Sequence, residues 1–221
     1  MAKRKPKEYK NVALTLTDDA RTLIIAPIFR RNAPLHVEIG SGKGAFILNE
    51  ARARPDCDFL GIEWAKKYYL YTVDRIGRWN LQNVRIIRTD VASLIPEFPD
   101  ASVSAFHIYF PDPWPKKRHH KRRFINPQNT DQMIRCLRPG GLINVATDHP
   151  DYFDQIRRTF DAAIAAGKLL PADFVRSAAA LPGESVGTNY ERKYLKGGKP
   201  IYTIAAQRPP QQRLPVPDAK L

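Results

Sequence analysis

Residues 35–44, LHVEIGSGKG, decide the fold. LHVEIG is a mostly apolar run of strand length, SGKG is a glycine turn, and 45–54 continues as a helix that Pro55 ends. The same order then repeats. DFLGIEW (58–64) reads as a strand, 65–79 as a helix and VRIIRTD (84–90) as a third strand. Further out, a short apolar run reaches Phe110 as the fourth strand. Asn126 and Pro127 then cap and open a helix through Leu137 that Arg138-Pro-Gly-Gly141 closes. LINVATD (142–148) is the fifth strand. Pro150 opens a helix whose Phe153, Ile156, Phe160 and Ile164 form one apolar face, ended by Gly167. FVRS (174–177) and KPIYTIAAQ (199–207) are the last two strands, with the polar loop 183–198 between them. Strand–helix alternation of this kind requires right-handed crossovers. The expected fold is therefore α/β, a mainly parallel seven-stranded sheet with helices on both faces.

Ahead of this alternation, Thr17, Asp18 and Asp19 offer the cap and first turn of a short helix carrying Leu23, Ile24 and Ile25. Residues 1–11 form a basic, proline-interrupted arm expected to be mobile, 12–208 a single domain, and 209–221 a proline-rich tail. At 221 residues and 43% hydrophobic, the chain has room for one large core. A formal charge of +14 points to a polyanionic partner, nucleic acid ahead of an anionic membrane. No apolar run approaches a membrane span and MAKRKPKEYK lacks a signal peptide's apolar stretch, so a cytoplasmic location is expected. Cys57 and Cys136 belong to no Cys-x-x-Cys or Cys/His spacing, so neither a disulfide framework nor a metal site is expected.

The chemistry concentrates at 106–123, FHIYFPDPWPKKRHHKRR. Pro111, Pro113 and Pro115 cannot continue a sheet interior, so the strand stops near Phe110. Asp112 and Trp114 then sit just past its carboxyl end, where open α/β sheets place their ligand crevice. Lys116, Lys117, Arg118, Lys121, Arg122 and Arg123, with His119 and His120 between them, carry a charge density suited to phosphates. Four acids, Glu38, Glu63, Asp90 and Asp112, all fall at carboxyl ends of consecutive predicted strands. One crevice can collect them.

Gly40 and Gly42 let a ligand approach the backbone closely, but spacing alone does not exclude a dinucleotide. Charge decides better. Glu38 would repel a pyrophosphate and suits a ligand with a sulfonium and an amino group, which favours S-adenosylmethionine over NAD. Glu63 is placed to accept both hydroxyls of a ribose, and Asp90 could accept from the adenine amine.

FPDPWPKKRHHKRR at 110–123 and TNYE at 188–191 resemble the motifs of the bacterial tRNA (guanine-N7) methyltransferases, a family of class I S-adenosylmethionine-dependent enzymes with a Rossmann-like fold. The resemblance covers about 33–205 and implies tRNA (guanine(46)-N7)-methyl transfer at a variable-loop guanine. It implies cofactor contacts from Glu38, Glu63, Asp90 and Asp112, with Asp112 also catalytic. Lys116, Asp148, Thr188, Asn189, Tyr190 and Glu191 would bind substrate, and Arg118 to Arg123 would contact RNA. Val91 after Asp90 departs from the pattern. Guanine N7 carries a lone pair and no proton, so orientation matters more than a general base. Asp112 could accept from guanine N1–H and the exocyclic amine and stabilise charge on the ring, while Trp114 and Tyr190 could stack on any base. Methyl transfer to another RNA or to an exocyclic amine, and a non-catalytic RNA-binding module, are the alternatives. Oligomeric state, monomer or homodimer, is left open.

Overall fold

The structure, a computed structural model, describes residues 7, 9, 12–14 and 28–211. The helix expected after Thr17 and the tail from 212 onward lie outside the described residues. Eight strands form one sheet: β1 (Ala13–Leu14), β2 (Leu35–Ile39), β3 (Asp58–Ile62), β4 (Val84–Ile87), β5 (Val103–Tyr109), β6 (Leu137–Thr147), β7 (Leu170–Ala172) and β8 (Tyr202–Gln207). Their spatial order is 1-4-3-2-5-6-8-7, parallel from β1 to β6, with β8 and β7 antiparallel. The expected parallel α/β sheet is present with one strand more than the seven read from the sequence. The addition is the two-residue edge strand β1, which pairs with β4 at Ala13 and Ile86.

Helices α1 (Ala45–Ala53) and α2 (Lys66–Arg78) cover one face, where Phe46, Ile47, Leu48, Val73 and Ile76 meet Phe59, Val84 and Ile86. A short turn of helix, α3 (Val91–Leu94), follows β4. On the other face α4 (Pro127–Cys136) and α5 (Pro150–Ala165) bring Met133, Ile156 and Phe160 against Val37, Phe106, Ile108 and Val145. Both faces are thus apolar, and the central strands are buried throughout, as a parallel sheet between two helical layers requires. β2 leads away to β3 on one side while β5 lies on the other, so the chain changes direction between β2 and β5. A crevice opens at the carboxyl ends of such strands.

Two expectations are corrected here. FVRS (174–177) is not a strand; the edge strand is Leu170–Ala172. After it the chain leaves the sheet to cover the α1 face: Phe174 packs on Tyr109, Val175 N–H donates to the Asn144 side chain, and Ser177 hydroxyl donates to Glu50. The polar loop 183–198 contains a helix, α6 (Asn189–Lys196). Thr188 caps it by accepting from Glu191 N–H at 3.1 Å, the arrangement that a Thr-x-x-Glu sequence favours.

Candidate active site

A cavity of about 1050 Å³ lies at the carboxyl ends of β2, β3, β4 and β5. Glu38, Gly40, Gly42, Glu63, Asp90 and Asp112 all line it, together with Thr188, Asn189, Tyr190, Lys121 and Arg122. The four strand-end acids therefore share one crevice.

Each acid has its own environment. Glu38 is buried and its Oε2 has no hydrogen-bond partner. Burial, with the nearby Glu63 and Glu50 carboxylates adding to it against a Ser41 hydrogen bond, pushes its carboxyl up to about 8. A buried acceptor lining a cavity is matched by a cationic donor. Glu63 accepts from Gly42 N–H and Ala65 N–H, both at 2.7 Å, and so ties the glycine turn to the entry of α2. One lone pair on each oxygen is left for a diol. Asp90 is exposed and caps α3 through Oδ1, accepting from Ala92 N–H at 3.0 Å.

The glycine turn itself argues against a dinucleotide. Gly40 and Ser41 N–H donate to Ile62 carbonyl at 2.9 and 3.1 Å, and Gly42 N–H is held by Glu63. Those groups are spent within the protein rather than aimed at a phosphate. Gly40 and Gly42 have φ of 79° and 53°, and a Cβ on Gly40 would meet nothing within 4 Å. The space that this leaves can receive a ligand edge. Thus the residues fit a ligand with an amine near Glu38 and a ribose near Glu63, as S-adenosylmethionine has.

Asp112 is exposed on the cavity wall in a turn with unusual backbone. Phe110 and Trp114, on either side of Pro111-Asp112-Pro113, take φ of 52° and 43°. Left-handed aromatics cost on the order of 1–3 kcal/mol each and persist only where their surroundings hold them. Here Phe110 N–H donates to Ala146 carbonyl at 2.7 Å, and Arg123 Nε donates to Pro113 carbonyl at 2.8 Å. Trp114 lies under the Arg122 guanidinium at 4.9 Å, with the His119 ring edge-on at 5.9 Å. Arg122 thus already occupies a face of the ring expected to stack on bases.

Arg123, one of the expected RNA contacts, is engaged within the protein. Its side chain is 1% exposed and donates to Pro113 carbonyl, Gln155 Oε1 at 2.9 Å and Asp151 Oδ2 at 2.5 Å, over the Tyr152 ring. It clamps the proline turn to α5 from the wall of the cavity that it also lines. The Arg123 bond in turn holds the Asp151 carboxyl below its usual range. Arg123→Ala is expected to lower the melting temperature by about 5–10 °C, because Pro113 carbonyl and Gln155 lose their partner. Arg123→Lys should not recover it, since an ammonium cannot span three acceptors in one plane. Scanning calorimetry of both variants checks this.

Arg118, Lys121 and Arg122 remain exposed on the turn Lys117–Arg122, with Lys116 just before it. His119 and His120 are half-buried, and His120 Nε2 lies 3.6 Å from Asp151. Glu191 is 1% exposed, and its carboxylate accepts from Ser185, Val186 and Gly187 N–H at 2.5, 3.0 and 2.7 Å. It shapes the loop before α6 rather than facing the cavity. Tyr190 is 55% exposed and stacks on Phe110 with centroids 6.1 Å apart, Tyr194 joining at 5.8 Å. Asp148 lies at the end of β6, away from the cavity lining, as a hydrogen-bond partner of Tyr194; burial first and then Asp148 raise that phenol.

The sequence reading missed a buried polar chain beneath the cavity. His36 Nδ1 lies 2.9 Å from His107 Nε2, and His107 Nδ1 lies 2.8 Å from the hydroxyl of Tyr109, a cavity-lining residue. Burial drives His36 down to about 3 and His107 well below its usual value, so both imidazoles are neutral. Histidines at same-face positions of neighbouring strands were the available signal.

Comparison with known proteins places this architecture in the class of Rossmann-like methyltransferases. The crystal structure of the 16S rRNA methyltransferase KamB aligns with a TM-score of 0.61 at 14% identity, covering 86% of this chain and 96% of that one. A family model described as "Putative methyltransferase" matches residues 32–204. The tRNA (guanine-N(7)-)-methyltransferase of Streptococcus thermophilus is 34% identical over 81% of this chain and 83% of its own length. That of Nitrosococcus oceani is 43% identical over 61% of this chain and 58% of its own. The chain belongs to the tRNA (guanine-N(7)-)-methyltransferase family.

Proposed function

We propose that this chain transfers the methyl group of S-adenosylmethionine to N7 of a guanine in tRNA, the guanine of the variable loop. The observation that carries the reading is the single crevice holding Glu38, Glu63, Asp90 and Asp112 beside an exposed cationic turn. S-adenosylmethionine supplies an electrophilic methyl on a sulfonium. Glu38 would take its amine, Glu63 its ribose and Asp90 its adenine edge.

No side chain has to remove a proton from N7, so the protein's task is orientation, which contributes on the order of 7–11 kcal/mol in well-aligned reactions. Asp112 would hold guanine through N1–H and the exocyclic amine, and its charge would offset the positive charge that develops on the ring. The proline turn and Arg123 keep that carboxylate in place. Tyr190, backed by Phe110 and Tyr194, gives a flat surface for the base. Thr188 and Asn189 lie on the same wall. Lys116, Arg118, Lys121 and Arg122 would meet phosphates. No helix among the described residues is long and apolar enough to cross a membrane.

The test is to incubate the protein with methyl-labelled S-adenosylmethionine and unmodified tRNA transcript and identify the labelled nucleoside. Label in 7-methylguanosine is expected. Label in another nucleoside would move the chemistry to an exocyclic amine or another atom, and no label with salt-sensitive tRNA binding would leave only an RNA-binding module.

A further inference from the structure

Helix α2 carries a second exposed surface that the methyl-transfer site does not use. Lys67, Tyr71, Arg75 and Trp79 recur every four residues along it, so they form one stripe. Tyr71 is 44% and Trp79 38% exposed, unusual for two large aromatics on one helix face. They are not scattered: the Arg75 guanidinium lies 6.0 Å from the Tyr71 ring and 5.1 Å from the Trp79 ring. Arg75 Nη1 also donates to Lys43 carbonyl at 2.7 Å, which fastens the stripe to the glycine turn of the cavity. The helix contributes one acid, Asp74, and that is buried and engaged by Arg78 and by Lys7 N–H.

From this surface we infer that α2 is a second tRNA-docking face, taking a stretch of the same tRNA outside the target loop. The inference rests on the tRNA reading above. Aromatics interleaved with cations suit a strand that offers phosphates and an unstacked base, since rings accept any base and cations meet the backbone. A second copy of the chain is a poor occupant, because each copy carries +14. Topology adds a reason. β3, which leads into α2, lies on one side of β2, and β5, which leads into the Lys117–Arg122 turn, lies on the other. The stripe and the cationic turn therefore follow strands on opposite sides of β2, and Arg75 ties the stripe to the glycine turn of the cavity. A folded RNA engaging both would be held in one orientation.

The test uses the full chain with Lys67→Ala, Tyr71→Ala and Trp79→Ala together, all at exposed positions. Binding is measured to full-length tRNA transcript and to a short stem-loop carrying only the target region, across a salt series. The full-length affinity should fall about tenfold, with the salt slope shallower by about one for the lost lysine, while the stem-loop and S-adenosylmethionine bind as to wild type. Unchanged full-length affinity in a variant that melts like wild type would overturn the inference. So would an equal loss for both RNAs, which would assign the stripe to the target loop itself, or altered self-association in ultracentrifugation with tRNA binding intact, which would assign it to a second copy. If wild type binds tRNA but forms no 7-methylguanosine, the methyl-transfer reading fails and the docking face is still judged by binding alone.

Discussion

Asp112→Ala is expected to lower the turnover of tRNA methylation by about a hundred- to a thousandfold, the usual cost of losing one preorganised stabiliser of developing charge. Binding of tRNA should stay close to wild type, because phosphate contacts dominate affinity and Asp112 makes none. Asp112→Asn separates the two roles. Its amide keeps the shape and one acceptor oxygen but loses the charge and places a donor against a donor on the base. If charge matters most, Asn should be nearly as impaired as Ala; if reach alone matters, Asn should recover much of the rate. Single-turnover measurement at saturating tRNA and cofactor distinguishes these outcomes, since it isolates transfer from binding. Near-normal transfer by Asp112→Ala would remove the residue from the reaction.

The same turn shows why the sheet and its acids were legible in the sequence while other features were not. Strand ends are marked by local chemistry: Pro111 stops β5 whatever the rest of the chain does, and Glu38, Glu63 and Asp90 follow directly from where apolar runs stop. Arg123 is different. In KKRHHKRR it is one cation among six, and only the packing of α5 against the turn singles it out, through residues 28 and 32 positions away. Its burial is a tertiary decision with no local signal. Helix α6 was missed for the opposite reason. Its start is written locally in Thr188-x-x-Glu191, but the polar composition of 183–198 masked it. Glu191 shows how a motif visible in the sequence can make loop contacts that the sequence does not announce. A carboxylate beside a site can shape the loop that forms the site without meeting any substrate. FVRS failed because β-branched and aromatic residues fit a strand and a covering segment equally well. Asn144 offers Val175 a side-chain acceptor where a neighbouring strand would offer a backbone one.

Glu38 yields the second large effect, and it is read through protons. Its buried carboxyl titrates near 8 in the free protein, well above the ordinary glutamate range. Because the folded state holds this proton more tightly than the unfolded chain, Glu38's contribution to stability is complete below the unfolded value. It is lost as pH rises through about 8. Melting temperature without cofactor should therefore decline over that window in wild type relative to Glu38→Gln, by an amount equivalent to a few kcal/mol. A cationic amine beside Glu38 reverses the balance by stabilising the charged carboxylate. Binding of S-adenosylmethionine at neutral pH should thus release about one proton. Calorimetry in buffers of different ionisation enthalpy detects this directly. Affinity should rise as pH approaches 8, and Glu38→Gln should weaken binding by about a hundredfold while abolishing the proton release. A variant that binds S-adenosylmethionine like wild type, with the same proton count, would place the amine elsewhere and leave the unpartnered oxygen of Glu38 without a ligand to explain it.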